Sequence, residues 1–256
     1  MKMVLLTALG VGGATIFGSV MGFIFKKISH KFSDIVLSFA AGVMLCAAIS
    51  GLIMPSIEYG NGSPFSVFVT IIGIMCGAVL LNIIDKLVPH LHRINGSDTE
   101  AHPESAEKLN KVLLFVLAIA IHNLPEGIAA GVGFGTGNTA EALTIAGGIA
   151  LQNIPEGMVI IAPMLAAGFT KKNTLIAATM TGIIEVIGTF IGYFAVSIST
   201  AVLPFALAFA GGTMLYVISD EMIPETHSHG DGCERLATYA LLVGFSVMLI
   251  LDFFLG

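Results

Sequence analysis

The 256-residue chain is 55% hydrophobic and only 11% charged, against roughly 25% charged residues in soluble domains, so an ordinary soluble fold is excluded and the composition belongs in lipid. A net charge of −6 with no basic tract excludes nucleic-acid binding, which needs clustered Lys and Arg. Cys46, Cys76 and Cys233 are too scattered for a disulfide framework or a CxxC metal site.

In chain order, apolar segments fall at 3–25, 34–57, 64–88, 112–134, 140–168, 173–196, 201–224 and 236–256, each near the roughly 20 residues that cross a hydrocarbon core about 30 Å thick. The first is expected to be a retained span, because its run from Met3 to Phe25 exceeds a signal-peptide core and closes on Lys26-Lys27. The runs are continuous and do not alternate, which predicts helices and not barrel strands. The expected fold is an all-α integral membrane protein of eight transmembrane helices, with residues 1–256 forming one transporter domain.

Eight spans place both termini on one side. Putting them outside leaves only Lys2 there and assigns Lys26, Lys27, Lys31, Lys86, Arg93, Lys108, Lys111, Lys171, Lys172 and Arg235 to the cytoplasm, as the positive-inside rule requires. Loops 26–33, 89–111, 169–172 and 225–235 are then cytoplasmic, in what is expected to be a plasma (inner) membrane. The stretch 89–111 is polar, charged and broken by Pro and Gly, which predicts a loop.

Two kinds of repeat are visible. His122-Asn123-Leu124-Pro125-Glu126-Gly127 on span 4 returns as Gln152-Asn153-Ile154-Pro155-Glu156-Gly157 on span 5. Phe39-Ala40-Ala41-Gly42-Val43-Met44-Leu45 in span 2 resembles Phe209-Ala210-Gly211-Gly212-Thr213-Met214-Leu215 in span 7, and after a one-residue slip Ile53-Met54-Pro55 meets Met222-Ile223-Pro224. Gly18-x3-Gly22-Phe23 in span 1 similarly echoes Gly188-x3-Gly192-Tyr193 in span 6, whereas spans 3 and 8 share little beyond apolarity. Copies five spans apart face opposite ways, which predicts an inverted repeat of spans 1–3 and 6–8 around the two motif helices, in a 3+2+3 arrangement.

Glu126, Glu156 and Glu185 fall inside spans, where an ionisable group costs roughly 2.5–3.5 kcal/mol on insertion scales and needs a partner or a watery path. Every Lys and Arg lies at a span edge or in a loop, leaving a bound cation or protonation as the remedy. His122 and Glu126, and likewise Gln152 and Glu156, are one helical turn apart and share a face. Asn123 and Asn153 point about 100° away and could flank a second position. Pro125 and Pro155 should kink their helices and release the carbonyls of Ile121 and Leu151. Imidazole with carboxylate and amide oxygens suits Zn²⁺, Fe²⁺ or Mn²⁺ better than Mg²⁺ or Ca²⁺.

The paired motifs, the eight spans, the outside termini and the His-containing loop between spans 3 and 4 together resemble the ZIP family of metal transporters, within it the GufA-like branch. The resemblance implies that His122, Asn123, Glu126, Gln152, Asn153, Glu156 and Glu185 line a transport site able to hold two metals with glutamates bridging. Gln152 stands where many members have His, and Asn153 where some have an acid, leaving one imidazole and fewer charges. The resemblance also implies alternating access, spans 1, 4, 5 and 6 moving against 2, 3, 7 and 8. No cofactor is expected. The ion itself is the cargo, Zn²⁺ first and Fe²⁺, Mn²⁺ or Cd²⁺ as alternatives, with the lipid bilayer and a homodimer as further candidate partners.

Asp220 and Glu221, with His227 and His229 further on, are candidates for a secondary metal position or exit path, weighed against simple solvation at a helix end. His90, His92 and His102 belong to the same cytoplasmic set. Met44 and Met214 read as packing, Ser50 and Ser219 as hydrogen-bonding within or between helices, and Asp34, Asp85 and Asp252 as interfacial. Two rivals remain. An intramembrane zinc metalloenzyme lacks an HExxH unit here, and a proton- or sodium-coupled carrier of another substrate leaves His122 unexplained. An enzyme is not expected.

Overall fold

The computed structural model describes residues 1–24, 30–59, 64–87, 120, 123–166, 169–198, 200–227 and 234–255. Their regular structure is helical: α1 (Lys2–Ile24), α2 (His30–Cys46) continuing through a π segment, Ala47–Ile53, into α3 (Met54–Tyr59), α4 (Pro64–Leu87), α5 (123–133), α6 (Thr139–Ala166), α7 (Lys171–Ile198), α8 (Leu203–Val217) continuing through Ile218–Met222 into α9 (Ile223–His227), and α10 (Glu234–Leu255). Seven described helices are long and apolar enough to cross a membrane. Of the fourth predicted span, 112–134, residues 120 and 123–134 are described; they are helical and mostly buried.

The π segments have a local cause. Pro55 and Pro224 lack an N–H and crowd the carbonyl four residues back, which a wider turn relieves. The Met54 N–H accordingly bonds Ile49 O, and the Ile223 N–H bonds Ile218 O, each five residues back. Ser50 Oγ donates to Cys46 O at 2.9 Å and Ser219 Oγ to Leu215 O at 2.7 Å, so both serines serve their own helix. At Pro155 no π segment forms, and α6 stays α-helical through it.

Small residues decide how the helices meet, since lipid offers no hydrophobic drive for helix association and close backbone approach supplies the packing energy. α1 packs on α6 and α7, α2 on α10, and α4 on α8. Each contact has an inverted twin. Gly18 lies against the Ile154 carbonyl as Gly188 lies against that of Leu124. Gly42 meets the Leu241 carbonyl as Gly212 meets that of Ile74. Gly12 and Gly182 each face the other's carbonyl, which puts them on the pseudo-two-fold axis. The repeat extends to α4 and α10, where the sequence shows little: Gly77 packs on Phe209 and Gly244 on Phe39. The two packing groups that result, α1/α5/α6/α7 and α2/α4/α8/α10 with their extensions, also pack on each other, with Gly51 against Ile145 and Gly148 against Met248. An apolar crevice of about 70 Å³ lined by Leu81, Ile84, Leu124, Pro125, Ile128 and Thr213 lies between α5 and the second group.

Candidate metal site

The first packing group closes around Glu185. Gly127 lets α5 approach the Glu185 carbonyl, and Gly157 lets α6 approach the Thr15 carbonyl, bringing the two motif helices and α1 to the middle of α7. The Glu185 carboxylate is fully buried and takes donors from three helices: Thr15 Oγ1 to Oε1 at 2.6 Å, Asn153 Nδ2 to Oε2 at 2.7 Å, and Asn123 Nδ2 to Oε1. Asn153 Nδ2 also lies 3.4 Å from Val11 O. Glu185 is therefore not the unpartnered carboxylate expected from the absence of Lys and Arg; neutral amides and a hydroxyl surround it.

Beside it, Gln152 Nε2 donates to Glu126 Oε1 at 2.9 Å, joining the two motifs directly. Glu126 and Gln152 are both 0% exposed. Glu156, half-buried on α6, is near enough to interact electrostatically with both Glu126 and Glu185. The hydrogen bonds join Glu126 to Gln152 in one cluster and Asn123 and Asn153 to Glu185 in another.

Four buried side-chain oxygens in these clusters have no hydrogen-bond partner among the described residues: Asn123 Oδ1, Glu126 Oε2, Gln152 Oε1 and Asn153 Oδ1. An unsatisfied buried acceptor costs about 1–3 kcal/mol, so native structures rarely tolerate several together. All four are acceptors and none is a donor, the pattern a cation satisfies. Among the described residues no three His, Cys, Asp or Glu side chains gather tightly enough to enclose an ion. His122 lies outside the described residues.

Among the described residues, the predicted exit-side side chains do not gather into a group of three. Asp220 is exposed and Glu221 half-buried in the second π segment. Both ring nitrogens of His227 are engaged, Nδ1 with Ile223 O at 2.9 Å and Nε2 with Thr238 Oγ1 at 3.2 Å. His229, Cys233, His90, His92 and His102 lie outside the described residues. Asp34, expected at the interface, is 3% exposed on α2. Met44 and Met214 are core residues, as expected.

Thr15 was not singled out by the sequence. Its signal is the register of the repeat: Gly12-x2-Thr15-x2-Gly18-Ser19-x2-Gly22 on α1 matches Gly182-x2-Glu185-x2-Gly188-Thr189-x2-Gly192 on α7, so the hydroxyl stands where the other copy has its glutamate.

A family model described as "ZIP Zinc transporter" matches residues 97–252. The chain is 38% identical to "Zinc transporter GufA" of Myxococcus xanthus, over 98% of both chains. It is 37% identical to "Zinc transporter ZIPB" of Bordetella bronchiseptica, over 95% of this chain and 78% of that one. To "Zinc transporter ZupT" of Chlorobaculum parvum it is 32% identical, over 93% of this chain and 92% of that one.

Proposed function

The chain belongs to the ZIP zinc-transporter family, and from that premise we propose that it carries Zn²⁺ and related divalent ions through the membrane at the meeting point of α1, α5, α6 and α7. The observation that carries this reading is the set of four orphaned oxygens beside Glu126 and Glu185. They offer acceptors only, at a depth where a cation is the partner that costs least. The membership makes the protein a transporter and not an enzyme, and the cargo a divalent metal ion.

The finer assignment follows from the donor types. His122, Glu126, Gln152 and Glu156 hold one ion, the imidazole favouring a borderline first-row metal. Asn123, Asn153 and Glu185 flank a second position, with Glu126 and Glu156 as bridging carboxylates. Asn123 and Asn153 turn their nitrogens to Glu185 and keep their oxygens unpartnered, so an ion beside those oxygens leaves the Glu185 bonds in place, whereas an ion that Glu185 itself ligates displaces the nitrogens. In that second case the amides exchange one role for the other, from neutralising Glu185 to sharing its ion.

Transport proceeds by alternating access without nucleotide hydrolysis, the α1/α5/α6/α7 group moving against the rest. The apolar crevice beside Leu124 and Pro125 supports a seam there, because apolar surfaces without interlocking polar bonds slide at low cost. The positive-inside rule supports termini outside a plasma membrane, and the transport proposed runs toward the cytoplasm. The test is uptake into proteoliposomes: Zn²⁺ enters with the parent protein, competed by Cd²⁺, Fe²⁺ or Mn²⁺, and Glu126→Ala or Glu156→Ala abolishes entry. Uptake unchanged in both variants would sink the assignment.

A further inference from the structure

We propose that Thr15 is a positioning residue of the metal site, holding Glu185 Oε1 fixed while the two asparagine amides exchange places with the ion; this rests on Glu185 being a ligand, as proposed above. Three donors reach the Glu185 carboxylate, and they are not equivalent. Asn123 and Asn153 each carry an orphaned oxygen on the same carboxamide, so either can turn from donor to ligand. Thr15 carries no orphaned atom, its one hydroxyl proton being given to Oε1. Its bond to Oε1, at 2.6 Å, is at the short end of O–H···O hydrogen bonds.

Thr15 is also held rigidly. Ser19 Oγ lies 2.9 Å from Thr15 O and 3.1 Å from Gly157 O, tying that turn of α1 to α6. Gly157 lets α6 lie against the Thr15 carbonyl. On the other side of the pseudo-two-fold, Thr189 Oγ1 donates to Glu185 O at 2.9 Å and Gly127 lies against that same carbonyl. The Gly12–Gly182 contact one turn away fixes the separation of the two helices. Thr15 and Glu185, 170 residues apart, are thus symmetry counterparts facing each other from equally braced turns. Outer-shell partners of this sort orient ligating carboxylates, and their loss typically costs about 10–100-fold in metal affinity or activity.

The experiment compares initial rates of Zn²⁺ uptake by the reconstituted full chain across Zn²⁺ concentrations for Thr15→Val, Thr15→Ser, Glu185→Gln and the Thr15→Val/Glu185→Gln double variant. Thr15→Val should raise KM about tenfold, the low end of the outer-shell range because Asn123 still reaches Oε1, with Vmax near the parent's. Thr15→Ser should restore the parent KM. In the Glu185→Gln background, Thr15→Val should add nothing. If Thr15→Val fails to fold, Thr15→Ala, which only removes atoms, reads the same loss. A raised KM in Glu185→Gln with an unchanged KM in Thr15→Val overturns the role of Thr15 alone, as does a Ser variant as impaired as Val. An unchanged KM in Glu185→Gln overturns the site assignment and the role of Thr15 together.

Discussion

Gln152 Nε2 donates to Glu126 Oε1 at 2.9 Å, so the residue that opens the second motif is the neutral partner of the carboxylate that nearly closes the first. Its own Oε1 is left without a partner among the described residues. Gln152→His should replace a hard oxygen with an imidazole facing Glu126 and shift preference from Mn²⁺ toward Zn²⁺ and Cd²⁺. Competition for Zn²⁺ uptake checks it: Mn²⁺ should inhibit less and Cd²⁺ more than in the parent.

Glu126→Gln keeps the size of the side chain and removes its charge. Uptake should fall by more than about 100-fold, beyond the loss expected for an outer-shell partner. The metal-free protein should be at least as stable, since a buried amide costs less than a buried carboxylate. Uptake assays and thermal unfolding in detergent with chelator read the two effects separately, and a stable variant with parental uptake would contradict the role of Glu126.

Asn153→Asp turns the Nδ2 donor 2.7 Å from Glu185 Oε2 into an acceptor facing another carboxylate. Without metal the variant should lose about 1–3 kcal/mol of stability, the cost of a broken buried bond. Saturating Zn²⁺ should restore it, because a ligand that binds only the native state stabilises by mass action. The check is unfolding temperature in chelator and in Zn²⁺; equal values for variant and parent in chelator would argue against the contact.

A methyl group on Gly18 would run into the Ile154 carbonyl, whereas one on Gly10 meets nothing within 4 Å. Gly18→Ala should therefore cost about 1–3 kcal/mol, as overpacking does. Gly10→Ala should be neutral or stabilising by up to about 1 kcal/mol through helix propensity. Paired unfolding measurements in detergent decide the point, and the expected order is Gly10→Ala above the parent above Gly18→Ala.

The positions of the spans were legible because an apolar run of the right length has few other fates, and the two motifs because Pro and Glu inside such a run are expensive enough to demand a purpose. The pairing of α4 with α10 was not. Only Gly77 and Gly244 share a role there, and lipid-facing residues such as Phe68 and Phe253 are free to drift. Thr15 was hidden for another reason. A threonine in an apolar helix usually bonds the carbonyl of its preceding turn, as Thr70 does to Ser66 O and Thr144 to Ala140 O, so nothing local distinguishes the one that reaches across to Glu185. The three neutral donors on Glu185 were likewise out of reach, since they come from three separate helices and meet only through glycine contacts.

The two π segments hold seven residues in the first copy and five in the second, and the chain from Met44 to Pro55 is one residue longer than that from Met214 to Pro224. In an inverted pair, one facing becomes the other when the two halves exchange conformations. Identical halves would make those facings equal in energy. Halves that differ by a residue at their widest turn do not, so under the alternating access proposed above the inserted residue is one of the differences that bias the empty carrier toward one facing.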